Sequence, residues 1–245
     1  MKIALCISGQ PRNPSRGIPN ILKYLNFKFD VFYHAWWDNN SSKNYFTKSN
    51  AAKINDIVSE PVENIWISWM YQYFNIKKLF LETQINFIVP PILETRKTTY
   101  ANAFNICSSL YSIHKCNELK KEYEDQNNFK YDLVIRTRLD FGFSEIINIK
   151  DFNQNVIYVP NDYGVDRYGF NDQFAIGSSF NMDIYSNAFN NIEYILNSGY
   201  EKDMGHEQII QKHLENNNIK FELRDFKNFL WRHEGNRSLV HSSKK

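Results

Sequence analysis

The sequence predicts an α/β domain built on a mostly parallel central sheet with helices packed on its faces. Three observations lead there. Residues 2–7 (KIALCI) form a continuous apolar run, the pattern of a strand covered on both sides. A second apolar run, Leu133, Val134 and Ile135, follows the longest helical candidate of the chain, residues 98–123. A long helix feeding a buried strand is half of a β-α-β unit. Short apolar runs then continue to alternate with helical periodicity as far as Trp231.

The elements are expected in the following order. The first strand breaks at Ser8 and Gly9 into a turn holding Pro11, Arg12, Pro14 and Arg16, with a helix from Ile18 to Leu25. Residues 29–36 read as a second strand, with His34 as a core histidine, and the Ser/Asn/Lys-rich stretch 39–49 as a loop. A helix is expected over 51–59, a short strand over 62–66 and a helical piece over 69–81, ended by Pro90 and Pro91. In the long helix, Ala103, Ile106, Leu110 and Ile113 recur at three- and four-residue steps and give an apolar stripe. Strands are then predicted over 156–159, 171–179, 219–223 and 229–231, and helices over 181–196 and 205–214.

Composition sets the outer bounds. With 245 residues, 42% hydrophobic and 23% charged, the chain can bury a full core as one domain over residues 1–233, followed by a polar, basic and disordered tail at 234–245. A net charge of +2 is too small to argue for a polyanion track, so no nucleic-acid partner is expected. The three cysteines have no metal-binding or CxxC spacing and read as buried free thiols. No run reaches the roughly 18 apolar residues of a membrane span. With no signal peptide in view, the expected location is cytoplasmic, with peripheral attachment at the inner membrane face left open.

The chemistry concentrates at residues 131–140 (YDLVIRTRLD). Period-2 alternation puts Val134, Arg136, Arg138 and Asp140 on one face, and Ile135, Thr137 and Leu139 on the other. Two guanidiniums and a carboxylate at the carboxyl end of a buried strand need partners, and open α/β sheets bind ligands at strand ends. An internal Arg–Asp ion pair and a site for a phosphate-bearing, metal-bound ligand are both compatible with this pattern. The turn after the first strand offers backbone N–H groups and arginines to a pyrophosphate.

Taken together, the order of motifs resembles glycosyltransferases of the GT-A fold, of the bacterial and giant-virus surface-polysaccharide type. The resemblance spans residues 1–233 through short motifs. It implies a nucleotide-sugar donor and a glycan acceptor. Ser8, Gly9 and Arg12, with Arg16, correspond to the turn that receives the nucleotide. Arg138, Leu139 and Asp140 occupy the place of the DxD motif, whose carboxylates hold a divalent cation (Mn²⁺ or Mg²⁺) on the diphosphate. The first acid of that motif is here Arg138, so the metal falls to Asp140 and, near the C-terminus, His233, or is replaced by the guanidiniums of Arg136 and Arg138. Gly177 corresponds to a glycine lining the donor sugar. Glu207, in the run His206, Glu207, Gln208, resembles the acid that faces the acceptor hydroxyl, with Asp172 the next candidate base. Tyr163, Tyr168 and Trp37 are candidates for stacking on sugar or base.

Two other classes fit parts of the pattern. A nucleotidyltransferase would use a similar sheet and a metal-bound phosphate, but the first turn lacks the Gly-rich, Lys-containing loop expected there. A non-catalytic carbohydrate-binding protein would account for the 16% aromatic content.

Overall fold

The structure is a computed structural model, and it describes residues 1–40, 43–46, 60–94, 102–161, 169–198, 205–231 and 237–239. A seven-stranded sheet runs in the order β10-β8-β9-β6-β1-β2-β5. Its strands are β1 (Ile3–Ser8), β2 (Asp30–Trp36), β5 (Ile76–Glu82), β6 (Leu133–Thr137), β8 (Ile157–Pro160), β9 (Ala175–Gly177) and β10 (Phe221–Arg224). Every pairing is parallel except those of β9 with β6 and β8, so a single reversed strand interrupts a parallel sheet. The mixed α/β architecture expected from the sequence is therefore the one observed. Two smaller sheets accompany it: β3 (Lys43–Phe46) with β4 (Glu60–Glu63), and β7 (Phe141–Phe143) with β11 (Asn228–Trp231) and β12 (Arg237–Leu239).

Strand alternation divides the core in two. Leu5, Ile7, Tyr33 and Ile135 face a core shared with α1 (Pro14–Tyr24) and α2 (Ile65–Tyr73). Ala4, Cys6, Phe32 and Val134 face the other, beneath α4 (Ala103–Gln126), α5 (Ser179–Ser186), α6 (Ile192–Asn197) and α7 (His206–Asn216). A short helix, α3 (Pro91–Glu94), contributes Leu93 to this second core. The stripe Ile106, Leu110 and Ile113 of α4 packs there, as its spacing predicts. All three cysteines are buried and free. Among the described residues no helix is long and apolar enough to cross a membrane.

Several boundaries differ from the sequence reading. The first helix starts at Pro14 instead of Ile18: Pro14 takes the first helical position, where its fixed φ suits the helix and its missing N–H costs nothing. Gly17 lies inside this helix because a Cβ there would come 1.8 Å from the Leu139 carbonyl oxygen, so α1 crosses the β6–β7 turn at backbone contact. The stretch 62–81 divides differently too. A helix opens at Ile65 and ends where Phe74 turns extended, and residues 76–82, read as helical, form edge strand β5 on β2. Leu79 and Leu81 pack inward there while Phe80 is exposed, which is strand alternation. The helix expected over 181–196 is two helices separated by a 3₁₀ turn at Phe189–Asn191. Within 39–49, residues 43–46 form β3. The helix expected over 51–59 lies outside the described residues.

Below the sheet ends, a buried ionic network fastens α4 to α5 and to the entry of β6. Lys120 and Glu124, both fully buried, lie 3.2 Å apart. The Lys120 ammonium also donates to Ser179 Oγ (2.5 Å) and Asp183 Oδ1 (2.8 Å). Glu124 accepts from Ser179 Oγ (2.7 Å) and from the Tyr131 backbone N–H (2.8 Å). Burial pushes the Glu124 carboxyl upward, but these donors and the Lys120 charge together hold it below the ordinary carboxylate range.

Candidate functional site

The carboxyl ends of β1, β2 and β6 open into a cleft of about 190 Å³. From β1 come Ser8 and Gly9, then Gln10 and Arg12; from β6 come Arg136 and Arg138. Gly9 has φ +101°, a left-handed conformation that favours glycine and turns the chain away from the strand. Its N–H donates to the His34 carbonyl (3.1 Å), which ties the turn to β2. Arg12 is oriented by Gln10, whose Oε1 accepts from Nε (2.9 Å) and Nη2 (2.5 Å). The opposite wall is the polar face of α4, with Asn105, Ser108, Ser109 and Ser112, and His206 at the start of α7 closes one side.

Arg138 and Asp140 form a fork: Nε donates to Oδ1 at 2.8 Å and Nη2 to Oδ2 at 2.6 Å. Asp140 is 1% exposed, whereas the Arg138 side chain is 24% exposed and reaches the cleft. Strand β6 ends at Thr137, and the fork forms in the turn that leads to β7. Both carboxylate oxygens of Asp140 thus accept from Arg138, as the ion-pair alternative anticipated.

A second charged cluster sits beside it. Arg136 is 3% exposed; its Nη1 donates to the Asp172 carbonyl and its Nη2 lies 3.8 Å from Asp172 Oδ2. Asp172 precedes the reversed strand β9, which is how a residue distant in sequence reaches the carboxyl end of β6. His206 Nε2 lies 3.5 Å from Asp172 Oδ1 and 3.3 Å from Glu207 Oε1. Burial lowers the His206 basicity, yet the Glu207 and Asp172 carboxylates outweigh it and raise the imidazole to about 9. For Asp172, burial acts upward, and His206, Arg136 and Arg138 together hold it well below the ordinary carboxylate range. Glu207 moves the other way: burial, with the Asp172 charge, raises it against the pull of His206. Two neighbouring carboxyls with opposite displacements are a pattern of acid–base sites. Gly169, at φ +76°, abuts this helix start, where a Cβ would come 2.9 Å from Gln208 N.

Among the described residues, Asp172, His206 and Glu207 are the set able to hold a metal ion, with ligand atoms within 4.8 Å of one another. The sequence placed the metal at Asp140 and His233. The Asp140 carboxylate is engaged by Arg138, and His233 lies outside the described residues.

The fate of the other expected site residues is mixed. Ser8, Gly9, Arg12, Arg136 and Arg138 come together at the cleft. Arg16 does not: it lies exposed on α1, 5.5 Å over the Trp231 ring. Nor does Gly177. Because β9 is reversed, Gly177 pairs with Val134 near the far end of β6, and a Cβ there would crowd Ile157 and Met182. Trp37 is a core residue whose Nε1 donates to Asn64 (3.1 Å). Tyr163 and Tyr168 lie outside the described residues. The sequence reading gave no role to Trp36, to the serines of α4 or, beyond its place beside Glu207 in the motif, to His206. The serines carried a readable signal, since Asn105, Ser108, Ser109 and Ser112 recur at helical spacing opposite the apolar stripe.

Comparison with known proteins adds three findings. A family model described as "Domain of unknown function (DUF7796)" matches residues 106–229, half of the chain, covering β6, Asp172, His206 and Glu207. No curated protein matches the sequence. Among solved structures, the apo form of mouse xyloside xylosyltransferase 1 aligns with a TM-score of 0.46 and 8% sequence identity, over 91% of this chain and 84% of that one.

Proposed function

We propose that this chain, which belongs to the DUF7796 family, is a glycosyltransferase that moves a sugar from a nucleotide-sugar donor to a glycan acceptor. One observation supports this reading above the rest. The cleft at the strand ends is lined by buried polar atoms with no hydrogen-bond partner: Ser8 Oγ, Trp36 Nε1, Arg136 Nε and His206 Nδ1. Buried polar groups are paired in nearly all native structures, because an orphan costs about 1–3 kcal/mol. Four around one cleft, with Arg12 and Arg138 at its mouth, suit a polar, anionic ligand such as a diphosphate.

Sugar transfer breaks a sugar–phosphate bond and leaves a nucleoside diphosphate, so the site must stabilise negative charge as that bond breaks. Arg12, Arg136 and Arg138 are the chain's own means of doing so, with Asp140 holding the Arg138 fork in place. Glu207 is the base for the acceptor hydroxyl. Its side chain is about a fifth exposed and burial raises its carboxyl above the ordinary carboxylate range, whereas Asp172 is buried and held ionised. Asp172 and His206 position it. A divalent cation also fits this cluster: its donors are one imidazole nitrogen and two carboxylates, and Asp172 Oδ1 is buried without a hydrogen-bond partner. Asp172, His206 and Glu207 would hold it, with Glu207 then a ligand in place of a base, and its charge would offset that of the leaving diphosphate.

The motifs at 7–12 and 136–140 support the finer reading: an acceptor that is a bacterial surface glycan or its lipid-linked precursor, used in the cytoplasm or at the inner membrane face. A panel of nucleotide sugars, assayed by thermal shift and by donor hydrolysis with and without Mn²⁺, tests the proposal. At least one donor is expected to stabilise the protein and to be hydrolysed; binding by none would sink it.

A further inference from the structure

The inner wall of the cleft contains a relay that the proposed chemistry leaves unused. His34, on β2 and fully buried, lies between two oxygens: Nε2 is 2.8 Å from Glu82 Oε2, and Nδ1 is 2.7 Å from Ser112 Oγ. A carboxylate only accepts, so the Glu82 contact places a proton on Nε2. Burial lowers the His34 basicity against the opposing pull of Glu82, which leaves Nδ1 unprotonated. Nδ1 then accepts from Ser112, and the hydroxyl proton is spent inward. The other acceptor within reach, the His34 carbonyl at 3.4 Å, also lies on β2 and away from the cleft. One turn earlier on α4, Ser108 Oγ donates to Gln84 Oε1 at 3.1 Å, so its proton is spent as well. Both serines line the cleft.

We infer that Ser108 and Ser112 form a binding subsite that accepts hydrogen bonds, selecting the O–H and N–H groups of a ribose or nucleobase and turning phosphate away. A phosphate oxygen has only lone pairs to offer and would face lone pairs on this wall. The cleft therefore has two chemically opposite parts. The guanidiniums of Arg12, Arg136 and Arg138 receive the anionic part of the ligand, and the α4 wall receives the part that carries donors. Trp36 lines the same cleft with an unpartnered indole N–H, stacked on Tyr111 of α4 at 5.5 Å. Glu82 and His34 are positioning residues that fix the direction of the Ser112 hydroxyl. The assignment rests on the glycosyltransferase reading and names where the nucleoside lies within it.

Isothermal titration of the full chain with uridine, guanosine and adenosine diphosphates and with inorganic pyrophosphate separates the possibilities. Ser112→Ala is expected to weaken the preferred nucleoside diphosphate about tenfold, the effect of one hydrogen bond, with pyrophosphate changed less than twofold. Ser108→Ala, which leaves the His34 relay intact, is expected to act in the same direction and guards against a folding defect in the first variant. Unchanged nucleoside diphosphate affinity in both variants, or an equal loss for pyrophosphate, would overturn the subsite while leaving the transferase reading standing. Wild-type protein that binds none of the four would overturn both.

Discussion

Substituting Asp140 by Asn separates the fork seen in the structure from the cation site suggested by the sequence. Asparagine keeps the shape and one oxygen, but turns the second oxygen into an amide donor facing the Arg138 Nη2 that now lies at 2.6 Å. One charge-assisted hydrogen bond is lost, for which mutational series give about 1.5–3 kcal/mol. The Arg138 side chain is about a quarter exposed, so water recovers part of that and the lower end, about 1.5–2 kcal/mol, applies. For a chain of this length each kcal/mol lowers Tm by about 2–4 °C, which gives a drop of about 3–8 °C. Thermal and urea unfolding without added metal read this directly. A double-mutant cycle with Arg138→Gln should return most of the loss as coupling. A released guanidinium also loses its aim at the cleft, and pyrophosphate affinity should fall several-fold. If Tm stays within a degree while Mn²⁺-dependent turnover disappears, the fork is not the role of Asp140 and the reasoning fails.

Other outcomes follow from the same geometry. Lys120→Met leaves Glu124 and Asp183 without their buried cation and should cost about 3–5 kcal/mol in urea unfolding, whereas a surface pair would cost under one. Glu124 is held below its unfolded value, so its contribution is complete above the ordinary carboxylate range and lost as pH falls through the folded value; Tm should decline more steeply in acid for wild type than for Glu124→Gln. Gly17→Ala drives a methyl into the Leu139 carbonyl and should lower Tm more than Gly177→Ala in β9, read by calorimetry. Glu207→Gln should reduce kcat about 10²–10⁴-fold with little change in Tm, and a variant of undiminished kcat would remove Glu207 as the base.

Much of the frame was legible because burial on both faces leaves a plain signature. The runs at 3–8 and 133–137 became neighbouring parallel strands, and the alternation through Val134, Ile135 and Leu139 sorted them correctly between two cores. Strand β5 was hidden because an edge strand that mixes Lys and Glu with Ile, Leu and Phe shares its composition with an amphipathic helix, and the extended cap at Phe74 has no sequence signal of its own. The direction of β9 was hidden too, since periodicity of two is the same either way along the chain. That reversal withdraws Gly177 from the cleft and delivers Asp172 to it. The Arg138–Asp140 fork was legible as one of two readings. The meeting of Asp172 with His206 and Glu207 depends on tertiary contact alone. The serine face of α4 was present in the spacing, but a Ser/Asn face on a helix has the same composition whether it meets solvent or a ligand.

A crystal structure soaked with a nucleotide sugar tests the central claim most directly. The diphosphate is expected against Arg12 and Arg138, the nucleoside along Ser108 and Ser112, and the sugar directed toward Glu207. A nucleotide bound elsewhere, such as the polar groove of about 880 Å³ bordered by Glu118, Asp183 and His213, with the strand-end cleft left to water, would contradict it.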